Sequence, residues 1–261
     1  MSRVIAIANQ KGGVGKTTTA YNIAAARAKL GELVLMIDMD PQYSLTESCA
    51  MQPDAPEYNG MSTCKLFENK TDPLDCCFSV EAIKSNKLFI VPSSQLLALT
   101  AKNLFAQTAG ITIFKKNIKK LAKYFETIVI DCPPSLDELL TAALVSADEV
   151  IVPVKPERLS YAGLNLIMPT IDAIKKAPKS QLGNPDLEVK GIIVTMFRSV
   201  LNEHKTYLQK ITEEYPVLGV VPLSAIVTKE VDRGLPVVTA HPLSTPAKVY
   251  TEISESTIVD I

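Results

Sequence analysis

A glycine-rich segment with two lysines carries the strongest chemical signal in the sequence. Residues 11–18 read Lys-Gly-Gly-Val-Gly-Lys-Thr-Thr and lie between a short apolar run and an alanine-rich helical pattern. Glycines let successive backbone N–H groups point at one anion, and the N-terminus of the next helix adds a positive end. Lys16 supplies a point charge for the β- and γ-phosphates of a nucleotide, and the Thr17 hydroxyl suits Mg²⁺. The predicted phosphate loop comprises Lys11, Gly12, Gly13, Val14, Gly15, Lys16, Thr17 and Thr18.

The spacing within this segment departs from the generic phosphate loop. The generic form is a glycine, four residues and then Gly-Lys-Thr, but Gln10 stands where its first glycine would fall. An additional lysine, Lys11, stands five residues before Lys16. This two-lysine arrangement is more specific than the generic motif, since it follows a predicted strand and opens a predicted helix.

Three aspartates follow predicted strands and complete the chemistry of such a loop. Asp131 ends the run Thr-Ile-Val-Ile and precedes Cys-Pro-Pro, so a buried strand would present its carboxylate to the hydration shell of Mg²⁺. Asp38 and Asp40 follow a second apolar run, in the segment Asp-Met-Asp-Pro-Gln. Their spacing of two places them on the same side of a strand end, where ligands bind in open parallel sheets. There a carboxylate can orient an attacking water or help to hold Mg²⁺ through water.

Short β-branched runs alternate with longer helical patterns along the chain. The predicted strands cover residues 4–8, 33–37, 88–91, 127–130, 150–154, 191–195 and 217–221, and the predicted helices cover 18–30, 136–146, 159–175 and 201–214. Several strands are apolar throughout, as strands covered on both faces require. The predicted fold class is α/β, a mostly parallel twisted sheet with helices on both faces. We expect one domain over residues 1–261, with an irregular insertion near 51–75, a short helix near 62–67 and a last helix after residue 245.

Composition excludes several other classes of protein. Apolar residues make up 47% and charged residues 21%, which excludes a mostly disordered chain. A net charge of −1 gives no overall attraction to nucleic acid, so DNA binding would require a local basic patch. No apolar run reaches the roughly 18 residues of a membrane span, and the first residues do not resemble a signal peptide. Five cysteines without a C-x-x-C pair predict neither disulfides nor a zinc site and favour a reducing cytoplasm.

The motifs together resemble those of the ParA/MinD group of P-loop ATPases, whose phosphate loop is a deviant Walker A motif. The resemblance is to the short, Soj-like ParA proteins and extends over about residues 3–253. It implies a P-loop fold of the deviant Walker A type, with ATP and Mg²⁺ as cofactors. It also implies that Asp40 positions or activates the hydrolytic water, and that Asp38 and Asp131 serve the metal together with Thr17.

The resemblance further assigns residues at a subunit interface and around the base. Lys11 corresponds to the signature lysine, which crosses a two-fold interface to neutralise the γ-phosphate bound by the partner subunit. ATP would thereby hold two subunits together. Glu157 would contact the ribose of the partner's nucleotide, and Met196 and Pro222 would line the adenine pocket. The family continues this proline with Arg-Asn, whereas here Leu-Ser follows.

The function that the resemblance implies is DNA partition. A homodimer would form with ATP, bind double-stranded DNA non-specifically and release it after hydrolysis, so that a plasmid or chromosome is segregated. Hydrolysis would be slow alone and stimulated by a centromere-binding or cargo adaptor protein. We expect a cytoplasmic, nucleoid-associated protein without membrane contact. Because no segment precedes the first strand to form a helix-turn-helix, we expect no sequence-specific operator binding.

Two basic regions are candidates for the DNA surface. One is a predicted helix face whose lysines are Lys115, Lys116, Lys119, Lys120 and Lys123, which we interpret as a solvated face. The resemblance instead places DNA contacts in the C-terminal half, where the candidates are Arg198, Lys205, Lys229, Arg233 and Lys248, with Lys210 nearby. Acidic residues are interspersed in this second region, so charge alone does not distinguish the two.

Other functions stay open at this point. Relatives of this kind also position protein cargoes, such as microcompartments or chemoreceptor arrays. A MinD-like membrane regulator predicts a basic amphipathic C-terminal helix, which residues 251–261 do not supply. A reductase like the nitrogenase iron protein needs a second cysteine to match Cys132, and a small-molecule kinase needs an acceptor site. Neither His204 nor His241 has a catalytic setting, and we expect both at the surface.

Overall fold

The computed structural model of the chain describes residues 2–83, 85–106 and 109–256 and contains one eight-stranded sheet. The strands are β1 (Arg3–Ile7), β2 (Val34–Asp38), β3 (Phe78–Ser79), β4 (Leu88–Val91), β5 (Thr127–Asp131), β6 (Glu149–Val154), β7 (Glu188–Phe197) and β8 (Val217–Pro222). Their order across the sheet is β3-β4-β2-β5-β1-β6-β7-β8. All pairings are parallel except that of β3 with β4. The predicted fold class is therefore confirmed.

Helices connect these strands and cover the sheet. They are α1 (Lys16–Lys29), α2 (Ser44–Ser48), α3 (Leu97–Ala106), α4 (Ala109–Leu121), α5 (Glu138–Ser146), α6 (Arg158–Lys176), α7 (Asn202–Glu214), α8 (Ala225–Val231), α9 (Val237–Ala240) and α10 (Thr245–Ser256). Short 3₁₀ turns occupy Pro56–Tyr58, Thr63–Phe67 and Pro73–Cys76, within or at the end of the predicted irregular insertion. The short helix predicted near 62–67 is thus a 3₁₀ turn, and a helix after residue 245 is present.

The apolar core lies in two layers, one on each face of the sheet. On one face, side chains such as Ile118, Leu140 and Leu164 from α4, α5 and α6 pack on the strands. On the other, residues of α1, α9 and α10, including Ile23 and Tyr250, do the same. Every residue of β2, β5 and β6 is buried. This two-sided covering explains why these strands read as continuous apolar runs rather than as alternating patterns.

The seven predicted strands are all present, with ends that differ by three residues at most. The sequence patterns missed β3, α2, α3, α8 and α9. β3 has two residues and α9 has four, which is too short for periodicity to be detected. No described helix is long and apolar enough to cross a membrane. The sequence predicts no basic amphipathic helix over residues 251–261. Residues 257–261 lie outside the described chain, so for them this stays a prediction.

Candidate functional site

The phosphate loop connects the central strand β1 to α1, as predicted. Gly13 and Gly15 have φ angles of 70° and 84°, in the left-handed region that side chains disfavour. Gly15 is the residue that caps the N-terminus of α1, and Lys16 begins the helix. The glycines are therefore required by the backbone path, which leads the chain from a buried strand to the positive end of a helix.

Hydrogen bonds to two nearby strands fix the shape of this loop. The Asn9 side-chain amide donates to the carbonyl of Pro153 at 2.7 Å, and its oxygen accepts from the N–H of Lys11 at 2.9 Å. On the other side, the Thr195 hydroxyl donates to the carbonyl of Val14 at 2.8 Å. The loop is thus held by β6 and β7, so it is organised by the protein itself.

Lys16 is a buried cation inside the loop. Its side-chain ammonium donates to the carbonyl of Lys11 at 3.3 Å, and the residue is only 7% exposed. Burial lowers the pKa of Lys16, and the carboxylates of Asp131 and Asp40 oppose that decrease. A buried cation beside carboxylates and free loop N–H groups is suited to a bound polyanion such as a triphosphate.

Lys11 differs from Lys16 in its surroundings, although both belong to the same loop. The residue is exposed, as are Gly12 and Gly13. Its backbone lies against α6, where a Cβ on Gly163 would be 3.7 Å from the Cβ of Lys11 and 3.4 Å from the side-chain oxygen of Asn9. Among the described residues no carboxylate forms an ion pair with Lys11. The loop therefore has one buried cation, Lys16, which we call the inward lysine, and one exposed cation, Lys11, the outward lysine.

Asp131 lies at the tip of β5, beside the tip of β2 on one side and of β1 on the other. Both of its carboxylate oxygens are buried and have no hydrogen-bond partner in the described chain. Burial raises its pKa well above the usual range, Asp38 adds to the increase, and the Thr17 hydroxyl and Lys16 ammonium oppose it. A buried carboxylate without a partner fits the hydration shell of a divalent cation.

The described residues contain no group of three or more His, Cys, Asp and Glu side chains that could hold a metal. Mg²⁺ bound with phosphates needs only one or two carboxylates and a hydroxyl, because phosphate oxygens and waters complete its shell. Asp131 and Thr17 satisfy that requirement.

Asp38 and Asp40 lie at this same edge, but their carboxylates have different surroundings. Asp38 is fully buried and accepts hydrogen bonds from the Thr46 amide at 2.8 Å, the Thr46 hydroxyl at 2.7 Å and the Asp40 amide at 3.1 Å. Burial raises its pKa to about 7, against the effect of these hydrogen bonds. Asp40 is half-buried, and within the described part of the chain its carboxylate accepts a hydrogen bond only from the backbone amide of Gln42, at 2.9 Å. Asp40 is the carboxylate with capacity left for a water.

Thr46 is a residue that the sequence analysis did not identify. Besides binding Asp38, its hydroxyl accepts from the Ser93 amide at 2.9 Å, and the Ser93 hydroxyl donates to the Asp40 carbonyl at 2.7 Å. The short helix α2 thereby holds the turn that contains Asp40. A lone threonine in a short polar helix has no local pattern that would have revealed this role.

Replacing Thr46 with valine removes these hydroxyl bonds while keeping the shape of the side chain. We expect a loss of about 1–3 kcal/mol in the free energy of unfolding, because Asp38 stays buried with one partner fewer. ATP turnover should fall more than ATP affinity, since the loop itself is unchanged. Denaturant unfolding and steady-state ATPase assays measure both. Thr46→Ser, which keeps the hydroxyl, should restore turnover; a serine variant as slow as the valine variant would contradict this role.

A cavity of about 180 Å³ adjoins the phosphate loop at the ends of β7 and β8. The predicted adenine residues Met196 and Pro222 both line it, next to Gly15 and Thr18 of the loop. Met196 has a φ of 53°, an unusual value for a side chain of its size. The remaining lining residues are Thr195, Val221, Leu223, Ser224, Val227, Thr228, Val231, Asp232 and Tyr250. Its position beside Gly15 suits a base whose phosphates occupy the loop.

Glu157 does not line this cavity. It caps the N-terminus of α6, and its carboxylate lies 3.9 Å from Nε2 of His204. The prediction that His204 is a surface residue is wrong: the residue is 4% exposed and its Nδ1 accepts from the Arg198 amide at 3.1 Å. His241 is exposed as predicted, although its ring lies 3.1 Å from the buried carboxylate of Glu230.

Both basic regions are at the surface. The C-terminal candidates Arg198, Lys205, Lys229, Arg233 and Lys248 are all exposed. The Arg233 guanidinium also donates to the buried carboxylate of Glu230, at 3.3 Å. Of the five lysines on α4 and just after its end, four are exposed, and burial together with Lys119 and Lys179 lowers the pKa of Lys115. The α4 region is therefore a positive surface, and the nearby Lys179 forms an ion pair with Asp186.

A loop of this kind between a central parallel strand and a helix, with a carboxylate at the tip of the adjacent strand, defines a P-loop nucleotide-binding protein. Comparison with known proteins identifies the family within this class. Residues 2–184 match the family model described as an AAA domain. The chain belongs to the ParA/MinD family of P-loop ATPases.

Several relatives support this membership. The chain is 29% identical over 262 residues to the sporulation initiation inhibitor protein Soj of Bacillus subtilis, covering 98% of each chain. It is 34% identical over 205 residues to the chromosome partitioning protein ParA of Myxococcus xanthus, covering 77% of this chain and 68% of that protein. Cobyrinic acid a,c-diamide synthase from Mycobacterium smegmatis, solved with ADP and magnesium, superposes with a TM-score of 0.81 at 29% identity, covering 99% and 94%.

Proposed function

We propose that this chain is a partition ATPase that dimerises around ATP, binds double-stranded DNA non-specifically as the dimer and releases it after hydrolysis. The cargo would be a plasmid or chromosome, in keeping with the relative named as a chromosome partitioning protein. The observation that carries the proposal is that one phosphate loop has a buried Lys16 and an exposed Lys11, whose side chain forms no ion pair with the described residues. Lys16 would serve the nucleotide of its own subunit, and Lys11 would serve the nucleotide of a second subunit.

The surface around Lys11 supports a subunit contact there. Leu159 and Leu166 precede and follow Gly163 on α6, within about one turn of the place where Lys11 lies on that helix. Both are strongly exposed, at 63% and 58%. A second copy of the chain facing the loop would cover these leucines, and their burial would favour the ATP-bound dimer. Glu157 lies at the start of the same helix, where it would meet the partner's nucleotide.

The phosphate loop and the carboxyl ends of β2 and β5 lie together at one edge of the sheet, which we call the phosphate edge. Its residues would have separate roles in hydrolysis. Thr17 and Asp131 would hold Mg²⁺, with Asp38 supporting its shell, and the ion when bound neutralises and orients the phosphates. Lys16 and the loop amides would stabilise charge on the transferred group. Asp40 would orient the attacking water. Hydrolysis is phosphoryl transfer to water, so no covalent enzyme intermediate is needed.

The proposal is tested by measuring mass and DNA binding under the same nucleotide conditions. Light scattering with a non-hydrolysable ATP analogue and magnesium should give a dimer, and ADP should give a monomer. Duplex DNA of unrelated sequences should be retained only by the dimer, because doubled phosphate contacts raise affinity steeply. A dimer that does not bind DNA would favour the alternative in which the chain positions a protein cargo. A mass that is the same with and without the ATP analogue would overturn the proposal.

Asp40→Ala is expected to bind ATP normally and to stay dimeric after ATP is added. Without a carboxylate to orient water, turnover should fall by about 10²–10⁴-fold, the range typical of a lost general base. Phosphate release and light scattering over time measure the two effects. Gln42→Ala, which keeps the backbone N–H that donates to Asp40 and leaves the carboxylate in place, is the control. Failure of Asp40→Ala to bind nucleotide would show that its role is in binding.

Charge reversal separates the two candidate DNA surfaces. We expect Lys229→Glu with Lys248→Glu to weaken DNA binding by at least about tenfold and to leave ATP-dependent dimerisation intact, since each lysine lost removes phosphate contacts. Arg233 is avoided because its reversal would place a second carboxylate beside the buried Glu230. The matched pair Lys119→Glu with Lys120→Glu should have little effect. Equal loss from this α4 pair would assign the DNA surface to α4.

A further inference from the structure

A second and larger cavity, of about 500 Å³, lies at the far edge of the sheet, beside the end of α2. Its lining residues are Cys49, Ala50, Met51, Glu57, Tyr58, Phe78, Ser79, Glu81 and Ala82. None of them belongs to the phosphate edge or to the cavity lined by Met196 and Pro222. Most come from the irregular segment near 51–75 and from β3, the last strand of the sheet, whose outer edge pairs with no described strand.

The lining combines an apolar floor with an acidic rim. The rings of Tyr58 and Phe78 pack in a tilted arrangement, with centroids 4.8 Å apart and an interplanar angle of 57°, and Met51 also lines the cavity. Glu57 and Glu81 are exposed at the rim, and among the described residues no cation pairs with either. A cavity of this composition is complementary to an apolar side chain flanked by lysine or arginine.

The backbone is strained on both sides of α2, in the part of the cavity wall nearest the nucleotide site. Tyr43 and Ala50 flank this helix with φ angles of 48° and 58°, a conformation that disfavours residues with a Cβ. Such residues persist only where their surroundings hold them, and they concentrate at sites that move or bind. α2 is thus a short helix between two strained residues.

The same helix leads directly to the phosphate edge. Thr46, in its middle, donates to Asp38 from both amide and hydroxyl, and Asp38 in turn accepts from the Asp40 amide. Ala50, two residues beyond the end of α2, lines the cavity and also contacts the turn after α8, where a Cβ on Gly234 would lie 2.7 Å from that of Ala50. α8 lines the cavity beside the phosphate loop. A ligand that displaces Ala50 therefore acts on groups at both parts of the nucleotide site.

We propose that the cavity bounded by α2 and β3 binds a segment of a partner protein in which basic residues flank an apolar anchor, and that its occupancy changes ATP hydrolysis through α2. This rests on the proposed function, because it assigns a docking place to the partner that stimulates hydrolysis. The anchor would sit on Tyr58 and Phe78, and the basic residues would pair with Glu57 and Glu81. The unpaired edge of β3 is available to the backbone of the segment.

The probe is the synthetic peptide Gly-Lys-Arg-Trp-Leu-Arg-Lys-Gly, acetylated and amidated at its ends. The chain contains no tryptophan, so the fluorescence of the peptide alone reports binding. We expect saturable binding that weakens with added salt. A peptide with glutamates in place of the basic residues should not bind, and one with serines in place of Trp-Leu should not compete. Binding of the acidic peptide, or no binding of the basic one, would overturn the proposal.

Charge reversal at the rim locates the site. Glu57→Lys with Glu81→Lys should weaken peptide binding by at least about tenfold, because two attractions become repulsions. The control is Glu252→Lys with Glu255→Lys, two exposed glutamates on α10 that change the net charge by the same amount. The control should bind as the unaltered chain does. Equal loss in both double variants would mean a diffuse charge effect and would overturn the site.

The effect on catalysis is measured separately from binding. Saturating peptide should change the ATPase rate of the unaltered chain at least twofold and leave the rim variant unaffected, while both have the same basal rate. A peptide that binds the rim but leaves the rate unchanged would overturn the coupling through α2. Failure of the proposed function has a different signature, since the chain would then lack ATP-dependent dimerisation while still binding the peptide.

Discussion

Replacing Lys16 with alanine is expected to abolish ATP binding at physiological concentrations. The side chain is the buried cation of the phosphate loop. Burial lowers its pKa, and the carboxylates of Asp131 and Asp40 oppose that decrease. Without it, the same carboxylates would face the phosphates uncompensated. Charge-assisted hydrogen bonds to phosphate contribute strongly, so we expect the Kd for ATP to rise by about 100-fold or more, about 3 kcal/mol. Calorimetry with a non-hydrolysable analogue and magnesium measures this directly.

The control for this experiment lies on the same loop. Lys11→Ala removes an equal charge five residues before Lys16, but from an exposed position. It should bind ATP within about threefold of the unaltered chain, at protein concentrations that keep it monomeric. A thermal melt without nucleotide shows whether Lys16→Ala is folded. Comparable loss of ATP affinity in both variants would mean that the inward and outward lysines are not distinct.

The phosphate edge was predictable because its signals are local. Asp38 and Asp131 each end a run of apolar or β-branched residues, Lys16 lies in the glycine-rich segment that follows another such run, and the carboxyl ends of parallel strands meet at one edge. The register confirms this, since Asp38 and Asp131 are direct neighbours on β2 and β5. Met196 and Pro222 also meet in one cavity, although the resemblance to a family rather than any local pattern identified them.

The rest depends on contacts between distant segments that leave no periodic trace. Thr46 acquires its role because α2 folds back onto Asp38, and Ser93 joins it from 47 residues further along the chain. His204 belongs to a helix with a mostly polar sequence, yet the turn after β7 encloses it and the Arg198 amide bonds its ring. The cavity beside α2 arises where segments from residue 49 to residue 82 meet. Tertiary packing decides these features, and no window of sequence contains them.

Lys11→Ala is the variant that should separate ATP binding from assembly. In the ATP state of the proposed dimer, each Lys11 would be buried against the partner's phosphates, where a charge-assisted contact gains strength from the loss of water. Two such contacts form in a two-fold dimer, so the substitution removes both. We expect the dimer dissociation constant to rise by at least about 100-fold, as two contacts of about 1.5 kcal/mol each would require. Sedimentation with the ATP analogue and magnesium measures it over a range of protein concentrations.

The interpretation depends on showing that the interface, and not the loop, has failed. Leu159→Ala with Leu166→Ala leaves both lysines in place but removes exposed apolar area from the same surface. This variant should also weaken the dimer, through lost burial rather than lost charge, and its loss should therefore be far less sensitive to salt. Lys11→Arg retains a cation and should restore part of the assembly. If the Lys11→Ala chain dimerises at the same concentration as the unaltered chain, Lys11 does not contact the partner's phosphates. The nucleotide would then have no means of joining two subunits.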